Sequence, residues 1–157
     1  MKKYDISQKI VFKTGTYELN SDANFNYQLN RVIMWDGGDA DEVSAVSHSI
    51  KTSSDWVSTL EQFAEKAHQE GRTANEIAYL RMSEFFIYDT DPKKKLRYTE
   101  ACELFYDYYG DYFNQGIVER HKVPYGSGYL PVMVTKAKGE SKGAVLLHGG
   151  NDSYYEE

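Results

Sequence analysis

Apolar positions recur at helical spacing over the first two thirds of the chain and then give way to strand-like alternation. Phe25, Leu29, Val32 and Ile33 fall near a 3.6-residue period behind a sound N-cap at Asn20 or Ser21, so a helix is predicted from Ser21 to about Trp35. Asp36-Gly37-Gly38 ends it. Asp39 followed by Glu42 has the form of a capping box, and Val43, Val46 and Ile50 continue at helical spacing into a second helix. Thr52 or Ser53 caps a third, whose stripe is Trp56, Leu60, Phe63, Ala64 and Ala67, with Glu61, Glu65, Lys66 and Glu70 opposite and Gly71 as its stop. Thr73 and Glu76 have capping-box form ahead of a fourth helix, running through Ile77, Leu80, Arg81, Glu84 and Tyr88, that is apolar over much of its circumference. Such a helix is expected to be central. Asp91-Pro92 supplies N-cap and N1 for a fifth, with Leu96, Cys102, Phe105, Tyr109 and Phe113 on one broad stripe.

After Asn114-Gln115-Gly116 the period shortens. Ile117 to Val123 and Tyr129 to Thr135 read as two strands joined at Tyr125-Gly126-Ser127-Gly128. A polar connection, Lys138 to Gly143, leads to Ala144-Val145-Leu146-Leu147, which reads as a third, buried strand running straight into His148-Gly149-Gly150. Residues 1–20 form a mixed arm, with Ile10-Val11-Phe12 as a short strand and Thr14-Gly15-Thr16 as a turn. Segregated helices and strands predict an α+β fold, five helices then three strands, divided into an arm (1–20), a helical region (21–115) and a strand region (116–157).

Composition narrows the function classes. At 157 residues, 41% hydrophobic and 27% charged, the chain can bury a real core. A net charge of -6 gives no basic footprint for nucleic acid. Met1-Lys2-Lys3 starts like a signal peptide, but Tyr4 to Lys9 interrupts any apolar region, and no run approaches the length of a membrane span. With a single cysteine, Cys102, no intrachain disulfide can form, and the cytoplasm is the expected compartment. Cys102 itself reads as a small buried hydrophobe.

The polar clusters give little chemistry. Asp36, Asp39, Asp41 and Glu42 invite a calcium reading, but an EF-hand loop opened at Asp36 needs glycine sixth and glutamate twelfth and finds Asp41 and Ser47. They read instead as helix N-terminal charge. Lys93-Lys94-Lys95 reads as a solvated first turn. His48, His68 and His121 form no ligand-spaced pair, so neither a metal nor any other cofactor is expected. The aromatics Trp56, Tyr79, Phe85, Phe86 and Tyr109 suit either a core or a pocket wall. The glycine turn after Leu147 is the one feature that points to a ligand, because it lets backbone N–H groups approach an anion closely.

The succession Arg31, Gly37-Gly38-Asp39-Ala40-Asp41-Glu42, Trp56, Gly71-Arg72-Thr73-Ala74, Tyr79-Leu80-Arg81-Met82-Ser83-Glu84-Phe85-Phe86 and Asp91-Pro92 carries a family likeness. With Val123-Pro124-Tyr125, Tyr129-Leu130-Pro131 and His148 to Glu157 it resembles α/β-hydrolases of the dihydropseudooxynicotine hydrolase and fermentation-respiration switch esterase type. The likeness covers about Asn20 to the end. It implies that the helices cap an active site, that the strands begin the hydrolase sheet, and that the substrate is a small-molecule ester or a ketone cleaved at an adjacent carbon-carbon bond. It also implies that backbone N–H groups of Gly150 or Asn151 form half of an oxyanion hole, with His148 ordering the turn.

The chain is expected to be the N-terminal part of such a serine-dependent enzyme, carrying neither the nucleophile elbow nor the triad, inactive alone, and either self-associating into a homo-oligomer through its third strand or aggregating. Gly126-Ser127-Gly128 reads as a hairpin turn. The alternative is a helical protein-interaction module, in which paired helices at 53–71 and 73–89 present a concave surface as tetratricopeptide repeats do. No second copy at a 34-residue period is visible for that reading.

Overall fold

The computed structural model describes residues 3, 7, 16–35, 37–150 and 152–156. The fold is α+β: α1 (Ala23–Trp35), α2 (Ala40–Val46), α3 (Ser53–Gln69), α4 (Thr73–Ser83), α5 (Pro92–Tyr108) and α6 (Gly110–Asn114) precede β1 (Val118–Tyr125) and β2 (Gly128–Thr135). Short 3-10 turns follow α2 and α4. The strand expected at 10–12, most of the turn after it, and Asp36 of the acidic cluster lie outside the described residues.

The helical layer is built around Trp56 and α4. Trp56 is fully buried, donates its indole N–H to the Met82 carbonyl at 2.7 Å, and packs edge-on to Phe86 at 5.1 Å. Leu29, Val32 and Ile33 of α1, Val43 of α2, Leu60 of α3 and Tyr79 of α4 complete the same core. Trp56 and Tyr79 are therefore core rather than pocket wall. Thr52 makes a reciprocal capping box with Asp55, and Gly71 closes α3 at φ +68°, a left-handed position that glycine takes without strain. The central place expected for the fourth helix is observed, since α4 packs on both α3 and α5 and buries Ile77, Ala78, Tyr79 and Met82.

At α1 the cap is Asp22 rather than the expected Asn20 or Ser21, its Oδ1 accepting from the Asn24 and Phe25 N–H groups at 2.9 and 3.0 Å. The two expected capping boxes, Asp39 with Glu42 and Thr73 with Glu76, are replaced by tertiary contacts. Asp39 does cap α2, accepting from Asp41 and Glu42 backbone N–H groups. The Glu42 side chain, however, turns to neighbouring helices: Lys66 Nζ at 2.7 Å, Arg72 Nη2 at 2.9 Å and the Tyr79 hydroxyl at 2.8 Å. At α4 the N-cap is Arg72, without a side-chain cap, and Glu76 pairs with His68 Nδ1 at 3.0 Å. In each case the carboxylate gains a partner on another segment instead of one backbone N–H on its own helix.

Among the described residues the count of five helices becomes six. The helical path that predicts one stripe through Phe113 breaks at Tyr109 (φ -92°, ψ 15°), and a one-turn helix restarts at Gly110. The expected hairpin forms, with Val123 opposite Leu130 and Arg120 opposite Met133. Its two-residue turn places Gly126 first at φ +55°, the arrangement that matches strand twist. Arg120 reaches the helices, its guanidinium 4.5 Å from the Tyr106 ring and 5.4 Å from Phe113. Val123, Leu130 and Val134 sit on the other face and are exposed.

The third strand is not formed. Among the described residues β1 pairs only with β2, and residues 141–150 have no ladder partner. Val145, Leu146 and Leu147 are 86–87% exposed. A strand exists through the neighbour that takes up its N–H and C=O groups, and here no neighbour is offered.

Candidate functional site

The glycine turn is fastened to the helical layer by the residues that follow it. Ser153 N–H donates to the Gly150 carbonyl at 3.3 Å. A Cβ on Gly149 would lie 2.4 Å from Ser153 Cβ, so the close approach that requires this glycine is made by the chain itself. His148 is exposed, its Nδ1 2.9 Å from the Gly149 carbonyl, a contact in which Nδ1 carries the proton. Asn151 lies outside the described residues.

Two buried arginines receive the segment beyond the turn. Arg31, on α1 between Leu29 and Val32, has a side chain only 4% exposed and places Nη1 2.7 Å from Asp152 Oδ2. The same nitrogen donates to Gln28 Oε1 at 2.8 Å. Arg81, on α4, donates Nη2 to the Asp152 carbonyl at 3.4 Å and sets its guanidinium 4.2 Å from the Tyr154 ring centre. Glu84 holds Arg81 in place at 2.5 Å and is itself paired with Lys94 Nζ at 2.9 Å. A buried charge demands such partners.

Lys94 corrects the reading of its lysine run as a solvated turn. It also donates to the Glu84 and Ile87 carbonyls, at 3.3 and 3.1 Å, at the 3-10 turn after α4. Lys93 likewise reaches Glu61.

An aromatic patch on α5 completes the seat. Tyr154 stacks on Tyr98 at 4.3 Å, while Glu156 accepts from the Tyr98 and Tyr106 hydroxyls at 3.1 and 2.8 Å. Burial, reinforced by these carboxylate contacts, raises the pKa of both tyrosines, which stay neutral donors. Cys102 is half-buried beside them, and burial raises its thiol pKa although the Tyr98 contact pulls the other way. That thiol is held away from the nucleophilic thiolate form.

Reading the sequence passed over most of this seat. Arg31 enters only through the family likeness and Arg81 as a position on the fourth helix and in that likeness, while Asp152, Tyr98, Tyr106 and Glu156 have no role predicted from the sequence. One signal was legible: an arginine and a glutamate three apart within an otherwise apolar helix, Arg81 and Glu84, imply a buried ion pair.

The expectation that the chain carries no nucleophile elbow needs a correction at the level of sequence, because Gly139-Glu140-Ser141-Lys142-Gly143 has the Gly-x-Ser-x-Gly spacing. The structure places it in the exposed connection after β2, with Ser141 Oγ donating to the Gly143 carbonyl at 3.0 Å. No strand enters it and no helix leaves it, so the strand-to-helix geometry that exposes such a serine is missing.

A separate cleft of about 520 Å³ lies over α4 between α3 and α5. Ala64, Leu80 and Leu104 give it apolar surface, and Glu61, Glu65, Glu76, Glu100, Glu103 and Asp107 line it with carboxylates, partly offset by Arg97. Among the described residues no group of three His, Cys, Asp or Glu side chains could hold a metal ion, and no helix is long and apolar enough to cross a membrane.

What fold and site define is an α+β chain in which a glycine turn is seated on a helical layer by buried arginines. Comparison with known proteins attaches no family to it: no family model, no curated protein and no solved structure matches the chain.

Proposed function

We propose that this chain supplies the helical cap and the oxyanion turn of a serine-dependent α/β-hydrolase that cleaves an ester or a carbon-carbon bond beside a ketone. Backbone N–H groups of Gly150 and Asn151 stabilise the developing oxyanion, and His148 orders the turn. The observation that supports this reading is the seating of the turn. Residues 152–156 are tied to α1, α4 and α5, while His148, Gly149 and Gly150 stay exposed beside that seat. The uncovered apolar face of Ala144 to Leu147 fits a strand that further strands would cover. A hydrolase of this kind needs a nucleophile presented at a strand-to-helix elbow, and neither Ser127, in the hairpin turn, nor Ser141 has that setting.

The test is to express the reading frame through its natural stop codon and profile the product against esters and diketones with fluorophosphonate labelling. The 157-residue chain is expected to be inert to both. Labelling at Ser127, Ser141 or Ser153 of that chain, or an inert product from the complete frame, overturns the reading.

One observation favours a helical interaction module instead: the cleft over α4, whose apolar surface and surplus of carboxylates suit a basic amphipathic segment. Titration with Lys- and Leu-rich peptides separates the two, since a hydrolase cap has no reason to bind them in a salt-dependent manner.

A further inference from the structure

We infer that Arg31 and Arg81 are positioning residues for the glycine turn: by docking residues 152–156, the helical layer sets the backbone at Gly149 and Gly150. The inference deepens the hydrolase reading, which gives the turn its purpose, but the docking rests on geometry alone.

The two arginines come from helices fifty positions apart and converge on a single residue. Arg31 takes the Asp152 carboxylate at 2.7 Å, and Arg81 takes the Asp152 carbonyl at 3.4 Å and the Tyr154 ring at 4.2 Å. Their side chains are 4% and 6% exposed. Guanidinium groups so far from water keep a fixed place only where their partners are fixed as well, which makes them rigid anchors rather than flexible surface contacts. Arg81 is locked from behind by Glu84, and Glu84 by Lys94.

The anchoring reaches the turn in two steps. Asp152 fixes its neighbour Ser153, and Ser153 contacts the turn twice, through its N–H to the Gly150 carbonyl and through its Cβ packed where a side chain on Gly149 would be. Upstream there is no comparable hold. Ala144 to Leu147 is exposed and has no strand partner among the described residues. The orientation of the Gly149 and Gly150 amides is therefore set from the downstream side, by the helices. A shift of the helical layer, or displacement of Tyr154 from its place against Arg81 and Tyr98, would re-aim the Gly150 amide, which the hydrolase reading assigns to the oxyanion.

The test is backbone NMR of the 157-residue chain. Its readouts are the heteronuclear NOE and amide shifts of Gly149, Gly150 and Ser153, and hydrogen exchange at residues 153–156. In the parent these residues should be as ordered as α5. In Asp152→Ala and Tyr154→Ala, which alter the docked segment and leave the helical core intact, they should fall to the level of the Gly139–Gly143 connection. Exchange at 153–156 should rise about ten- to a hundredfold, as expected for loss of a charge-assisted hydrogen bond. Exchange at Leu60 and Ala64 should not change. Arg31→Lys should restore part of the order that Arg31→Gln removes, provided both fold. Linker-like mobility of the turn in the parent, or unchanged order in both segment variants, overturns the inference. Because none of these readouts involves hydrolysis, failure of the docking is distinguishable from failure of the hydrolase reading, which is judged by fluorophosphonate labelling.

Discussion

The helical layer and the hairpin region are built from similar apolar residues, yet they use them in opposite ways. In the layer, Leu29, Val43, Trp56 and Leu60 are at most 1% exposed. In the region after Gly116, Val123 is 46%, Leu130 50% and Leu146 87% exposed. Helices satisfy their own backbones and are free to turn an apolar stripe inward, whereas strands depend on neighbours for both hydrogen bonds and cover. Here, among the described residues, one sheet of two strands leaves one of its faces open. The first region buries its own apolar stripes, and the second is held through its contacts with the helices.

The largest test of this contrast is Trp56→Ala. It removes a side chain with no exposed surface and the indole N–H that donates to the Met82 carbonyl, so a loss of about 3–5 kcal/mol is expected in urea unfolding, enough to unfold a marginal domain. Glu84→Ala comes next. It leaves Arg81 and Lys94 facing an emptied, buried site, with an expected loss of about 3 kcal/mol and loosening of residues 152–156. A loss below about 1 kcal/mol would show that water reaches this site and that the arginine is not buried as described.

The third test depends on pH. Burial pushes the Glu42 carboxyl up, but hydrogen bonds from Lys66, Tyr79 and Arg72 outweigh it and hold the pKa below the usual carboxylate range. With the folded value depressed, the stabilisation is fully present above the unfolded pKa near 4.5 and is lost as pH falls through the lower folded value. Glu42→Gln should therefore lose about 1–2 kcal/mol at pH 7 relative to the parent, and the difference should shrink toward pH 3. A difference that stays constant with pH would mean that shape, not charge, links α2, α3 and α4 at this point.

The smallest effect on stability is expected at Leu146. Leu146→Asp should change unfolding by less than about 0.5 kcal/mol, because the side chain is in water already. The exposed apolar run is what another copy would cover, so the parent is expected to self-associate in sedimentation and Leu146→Asp to be monomeric. A parent that is already monomeric removes the second half of this expectation and would leave residues 144–147 as a bare segment.

Much of the helical layer could be read directly from the chain. The Thr52 cap, the Trp56 to Ala67 stripe, Gly71 and Asp91-Pro92 all lie where local rules put them, because each acts within one or two helical turns. The failures were of another kind. Glu42 and Glu76 have the spacing of capping boxes but turn to Lys66, Arg72, Tyr79 and His68, and nothing in a four-residue window shows that a better partner waits on another helix. Ala144 to Leu147 has the composition of a buried strand, but composition does not provide the neighbour.

The candidate site divides along the same line. The two glycines after Leu147 and His148 identify a turn in which backbone N–H groups are accessible, which is a property of residue type. That the turn is seated by Asp152 on Arg31, 121 positions earlier, and by Tyr154 against Arg81 could not be read from the chain, because the contact is made only when α1, α4 and the tail are brought together. The sequence by itself determined most of the helices, the caps at Asp39, Thr52 and Asp91, the hairpin and the glycine turn, since these follow from local backbone preferences and periodicity. Only the tertiary structure decided which charges are buried together, which capping carboxylates are taken by other helices, and that the third apolar run is left without a sheet. Long-range pairing is settled by competition among all possible partners, and no local pattern records its outcome.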